Sequence, residues 1–118
     1  MDFMSALEER ARAVHGSIAL AEGFDARVVE AAGTLVDRQV CRVTIACPAA
    51  QRTAAHDDLE SRGVRVVDPA TDPRREHLAG LLHDRRKHKG MSLDEARGLL
   101  VDPLYFTSLL VAAGEADG

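Results

Sequence analysis

Arg85-Arg86-Lys87-His88-Lys89-Gly90 packs four cations and a histidine into six residues, and Met91-Ser92-Leu93-Asp94-Glu95-Ala96 follows at once. Clustered cations need solvent or an anion. Arginine offers a planar two-pronged donor and lysine a point charge, so phosphate-bearing ligands suit them. A second candidate is Arg27, two residues after Asp25, which reads as a helix cap. A cation in a first helical turn opposes the helix dipole unless an anion compensates. Each cation has a plainer reading. Arg27 could pair on the surface with Glu22 or Glu30, and such pairs are common and cheap. Arg85 to Lys89 could be a solvated last turn whose charges suit the dipole, which spacing alone favours.

Other chemistry lacks its parts. His15, His56, His77, His83 and His88 are scattered, and no HExxH or zinc-type Cys/His spacing occurs. There is no GxGxxG, no GxxxxGK[ST] and no GxSxG. Metal, dinucleotide, P-loop and serine-nucleophile readings therefore fall away, leaving anion binding. Cys41 and Cys47 bracket one predicted strand, whose length would hold them roughly 20 Å apart, beyond disulfide reach. They are expected to be free and hydrophobic.

The 118 residues suit one domain. Net charge is -4, yet residues 74–89 carry six cations against Glu76 and Asp84. One basic patch on an acidic body fits a compact anion better than nucleic acid. Aromatics are only 3%, so the core must be aliphatic. No signal peptide or membrane-length apolar run is visible, and the expected location is cytoplasmic.

The elements that must position these residues alternate. A surface helix over 7–14 precedes an apolar strand over 17–21. Asp25 caps a helix to about Arg38, and a β-branched strand covers 42–47. A helix from about Ala49 to Arg62 leads to a strand at 64–67, broken by Asp68-Pro69. Such alternation predicts an α/β fold, an open parallel sheet flanked by helices in three layers. The second half reads as helical: about 73–87, stopped by Gly90; a helix opened by a Ser92/Glu95 capping box; and one opened by Asp102-Pro103, running to Ala113. The tail Gly114 to Gly118 reads as the approach to another strand.

Several stretches together resemble the phosphate acetyl/butyryl transferase family, in its amino-terminal part. They are Ile18-Ala19-Leu20-Ala21-Glu22-Gly23-Phe24-Asp25-Ala26-Arg27 with Ala31-Ala32, then Val67-Asp68-Pro69, then Arg86-Lys87-His88-Lys89-Gly90-Met91-Ser92 with Glu95-Ala96. Asp102-Pro103-Leu104-Tyr105-Phe106 and Gly114-Glu115-Ala116-Asp117-Gly118 complete the set, in family order over almost the whole chain. The resemblance implies acetyl transfer between acetyl phosphate and coenzyme A, giving acetyl-CoA and phosphate. It implies two α/β lobes with a cleft between them, usually in a homodimer. Coenzyme A enters as substrate, and no resident cofactor or metal is implied.

Residue by residue, the resemblance makes Arg27 and Arg86 substrate-binding, with Lys87, His88 and Lys89 as a possible anion patch. The family's catalytic serine, arginine and aspartate belong to the second lobe, so residues 1–118 are expected to be an incomplete amino-terminal lobe with no catalytic residue. Cys47-Pro48 departs from the glycine the family often has there. The other readings are a non-catalytic module binding a phosphate-bearing metabolite or a partner, and a relative of phosphate butyryltransferase or of a malic-enzyme tail. An uncovered sheet edge and a bare Leu109-Leu110-Val111 face are expected to drive self-association.

Overall fold

The computed structural model describes residues 2–118. Its elements are α1 (Phe3–Val14), β1 (Ser17–Leu20), α2 (Ala26–Asp37), β2 (Arg42–Ala46), α3 (Ala54–Ser61), β3 (Arg65–Val67), α4 (Arg75–Arg86), α5 (Leu93–Leu99) and α6 (Pro103–Ala112). The three strands form one parallel sheet in the order β1-β2-β3, with Leu20 opposite Ile45 and Ile45 opposite Val66.

Strand alternation sorts side chains onto the two faces. Val43, Ile45 and Cys47 join Ala32, Leu59 and Val64 under α2 and α3. Ala46 joins Leu78, Leu82, Leu100, Phe106 and Leu110 under α4, α5 and α6, with Ala19 and Val67 packed against them. The result is the three-layer arrangement that the alternation predicts. Arg62 ties α2 to α3 by donating to Asp37 and to Asp58.

Two helix starts differ from the sequence reading. The helix expected from Ala49 is a 3-10 turn at Ala49–Gln51, and α3 starts only after Thr53. Arg52 and Thr53 are extended, because the Thr53 hydroxyl caps Ala55 while the His56 ring accepts the Thr53 N–H at 3.0 Å. That reciprocal cap stops the 3-10 turn from running on. Helix α1 begins at Phe3, since Asp2 caps it by accepting from Ser5 at 2.7 Å.

The free edge of β1 is not bare. Asp117 N donates to Ser17 O (2.9 Å) and Ala19 N donates to Gly118 O (2.8 Å). The Asp117 carboxylate also accepts from Ser17 N at 2.8 Å. Leu109 and Leu110 are buried and only Val111 faces solvent, so the expected bare face is mostly core. Exposed apolar side chains lie on α1, at Phe3, Met4, Leu7 and Val14, and on α6, at Leu104 and Tyr105, with Phe24 and Val101 in loops.

Candidate functional site

The basic segment straddles the end of a helix. Helix α4 ends at Arg86, a 3-10 turn takes Lys87–Lys89, and Gly90 follows at φ 87. Gly90 N closes on Lys87 O at 3.0 Å. The left-handed backbone explains the glycine, since a side chain there would be strained. Residues Arg85 to Gly90 are all exposed, and Lys87 reaches Asp84 at 3.7 Å. Arg85, Arg86 and Lys89 make no ion pair among the described residues. Ser92 then caps α5 by accepting from Glu95 N at 3.0 Å, while its own hydroxyl donates to the Glu95 carboxylate. Only half of the expected capping box forms.

Helix α6 supplies what spacing alone did not reveal. Asp102 accepts from Leu104 N at 2.8 Å and Pro103 takes the first helical position, which fixes where α6 begins. Its Leu104, Tyr105 and Ser108 then face Leu82, Arg85 and Arg86 of α4 across a groove of about 360 Å³. Neighbouring Phe106 points the other way and is fully buried. The Tyr105-Phe106 pair is thus divided between groove and core. The 104/105/108 spacing marks one helical face, but only tertiary packing shows that α4 lies opposite. The groove has an apolar floor, two guanidinium groups at its rim and two hydroxyls. Such a surface can hold a molecule with an anionic head and an apolar arm.

Arg27 lies in the first turn of α2, beyond the carboxyl end of β1. Its partner is neither Glu22 nor Glu30 but the cap itself: Nε and a terminal nitrogen donate to the two Asp25 oxygens at 3.2 and 2.8 Å. The Arg27 backbone N–H donates to the same carboxylate at 2.8 Å. The Arg27 side-chain hydrogen bonds, then its backbone N–H, hold the Asp25 carboxyl at a pKa of about 2. The same partner raises Arg27. The guanidinium is therefore partly neutralised from within, while its side chain is 89% exposed.

A titration prediction follows from this pair. Asp25 is depressed in the folded chain and ordinary in the unfolded one. Its contribution is therefore complete above about pH 4–5 and fades as pH falls toward about 2. Asp25→Asn keeps a capping oxygen but should flatten that part of the curve. Urea midpoints of both proteins between about pH 5 and pH 2 check this; parallel curves would refute it.

The loop that leads into α2 and Arg27 is held at Gly23 by a buried histidine. His56 Nδ1 accepts the Thr53 N–H, so Nε2 carries the proton and donates to Gly23 O at 2.5 Å. Gly23 N donates to Ala46 O at 3.0 Å. The sequence reading left His56 without a task; its position three residues after a threonine was the available signal.

The candidate residues do not all converge. Arg86 belongs to the α4–α6 side of the sheet and Arg27 to the α2–α3 side, and no hydrogen bond or ion pair among the described residues joins them. Lys87, His88 and Lys89 accompany Arg86 on one turn. No group of three or more His, Cys, Asp or Glu among the described residues could hold a metal ion. Cys41 and Cys47 are free thiols, and burial pushes both up in pKa. No described helix is long and apolar enough to cross a membrane.

The profile of the family described as Phosphate acetyl/butaryl transferase matches residues 2–118. Curated phosphate acetyltransferases from Synechocystis sp. and Corynebacterium glutamicum are each 38% identical over 98% of this chain. The match covers 17% of the first protein and 36% of the second. A phosphotransacetylase structure from Staphylococcus aureus superposes with a TM-score of 0.81 at 25% identity, over 98% of this chain and 37% of that one. A second, from Streptococcus pyogenes, gives 0.80 at 26% identity, over 100% and 37%. The chain thus spans little more than a third of the length of these relatives, or less. Sequence and fold agree across nearly all of its residues: this chain belongs to the phosphate acetyl/butyryl transferase family.

Proposed function

We propose that the chain supplies part of the coenzyme A and phosphate side of a phosphate acetyltransferase. In that reaction the coenzyme A thiolate attacks the acetyl carbonyl carbon of acetyl phosphate. The carbon–oxygen bond to phosphate then breaks, releasing acetyl-CoA and phosphate. The observation that carries this reading is the groove joining Arg85 and Arg86 to Leu82, Leu104 and Tyr105. Coenzyme A has phosphates for the guanidinium groups and a pantetheine arm for the apolar floor. Lys87 and Lys89 add positive field beside the groove rather than a chemical step, while Arg27 would meet substrate from the other side of the sheet, in competition with its Asp25 partner. The curated relatives' names favour acetyl over butyryl transfer. Association between copies would use the exposed α1 stripe.

No residue of this chain is assigned as base, nucleophile or oxyanion donor, and positioning without those groups is weak catalysis. Purified residues 1–118 should therefore turn over acetyl phosphate and coenzyme A far below about 1 s⁻¹, the low end of ordinary enzymes. Binding should still be measurable, at roughly millimolar affinity because the groove is open to water. Equilibrium binding of coenzyme A tests the assignment. Arg86→Ala should weaken it more than Lys89→Ala, since only arginine offers the planar fork. Added salt should weaken it further. Equal losses in the two variants would remove Arg86 from its role.

A further inference from the structure

We propose a second compact-anion site, built from Arg42 and Arg65 at the amino edge of the sheet. Strand register brings its parts together. Ser17 lies opposite Arg42, and Thr44 lies opposite Arg65. By alternation, Ser17, Arg42, Thr44 and Arg65 share the face that also carries Ala19, Ala46 and Val67. The latter three are covered by the α4–α6 layer. The first four lie at the foot of the strands, where Arg42 and Arg65 stay exposed and Thr44 is half-buried. They line a cleft of about 200 Å³ together with Gly63 and Glu115.

The donors in this cleft are largely unspent. The Arg65 side chain makes no hydrogen bond or ion pair among the described residues, and the Thr44 hydroxyl has no partner among them. Arg42 gives one terminal nitrogen to His15 O at a long 3.3 Å and keeps its other donors. Arg42 and Arg65 line the same cleft from adjacent strands, and long side chains so placed can converge on one shared oxyanion. Without it, their like charges repel. Glu115 lines the cleft and the Asp117 carboxylate takes the Ser17 N–H at 2.8 Å beside it, but neither forms an ion pair with either arginine among the described residues. The ligand chemistry is therefore a compact oxyanion, planar carboxylate or tetrahedral phosphate. Glu115 and the carboxyl end of α3 beside Gly63 oppose it, which sets the affinity low.

Amide shifts of the 118-residue chain test this, using inorganic phosphate and, separately, acetate against chloride at constant ionic strength. Phosphate should produce saturable shifts at Thr44, Gly63 and Arg65 with a Kd of roughly 1–10 mM. Arg65→Ala should weaken binding at least about tenfold and Arg65→Lys less, whereas Glu115→Gln should tighten it severalfold. Arg86→Ala should leave these shifts unchanged, which separates the site from the groove between α4 and α6. Acetate moving the same amides shows that a carboxylate suffices; phosphate acting alone shows that the site needs a tetrahedral oxyanion. The proposal is overturned if neither anion shifts these amides by about 20 mM. It also fails if the shifts survive in both Arg65 variants, or if Glu115→Gln weakens binding.

Discussion

Phe106→Ala is expected to lower the unfolding free energy by about 3–5 kcal/mol, the range for removing a fully buried ring. Phe106 is 0% exposed in the cluster that joins α4, α5 and α6 to the sheet. The Arg74 guanidinium also sits 6.0 Å from its ring centroid, while donating to the buried Asp72 carboxylate. Truncation would leave a cavity and strip one side of that ion pair. A domain of this size has only about 5–15 kcal/mol of stability in total, so the variant should be largely unfolded in mild urea. Tyr105→Ala, one residue away on the groove side, should cost far less. Chemical denaturation of the pair checks the division between core and groove; similar losses would refute it.

Gly23→Ala should carry the second large effect. An added Cβ would stand 2.5 Å from the Ala46 carbonyl oxygen and 3.0 Å from its carbon. These are backbone atoms of the central strand, which cannot swing aside as a side-chain tip would. The loop must back away, stretching the Gly23–Ala46 hydrogen bond and the His56 contact to Gly23 O. Overpacking of this kind costs about 1–3 kcal/mol. The disturbance should travel to Asp25 and Arg27, which begin the next helix. Loss of the His56 ring N–H protection in exchange-sensitive NMR, together with a lowered urea midpoint, is the expected signature. An unchanged midpoint would mean that the close approach at Gly23 is not obligatory.

Much of the fold was readable because local and long-range signals agree. β-branched runs at 42–47 and 64–67 alternate with capped helical segments, and that order leaves a parallel sheet as the economical arrangement. Asp25, Asp102 and Gly90 each do what their residue type suggests. The failures are equally specific. Thr53 with His56 is a capping pair in which histidine replaces the usual glutamate or glutamine, so the late start of α3 was missed. Arg27 pairs with a residue two positions before it, outside the spacings at which helical ion pairs are sought. The groove was invisible because Arg86 and Tyr105 meet only through packing of α4 against α6. Such a contact between two separate helices leaves no periodic trace in either.

The central claim is that the cationic end of α4 and the facing side of α6 together hold coenzyme A. A ¹H–¹⁵N titration of the 118-residue chain with coenzyme A tests it most directly. The predicted result is one saturable set of shifts covering Arg85 to Gly90 and Leu104 to Ser108, reduced by Arg86→Ala and by salt. Amides in both segments that stay still through about 10 mM coenzyme A, or shifts confined to other parts of the chain, would contradict it.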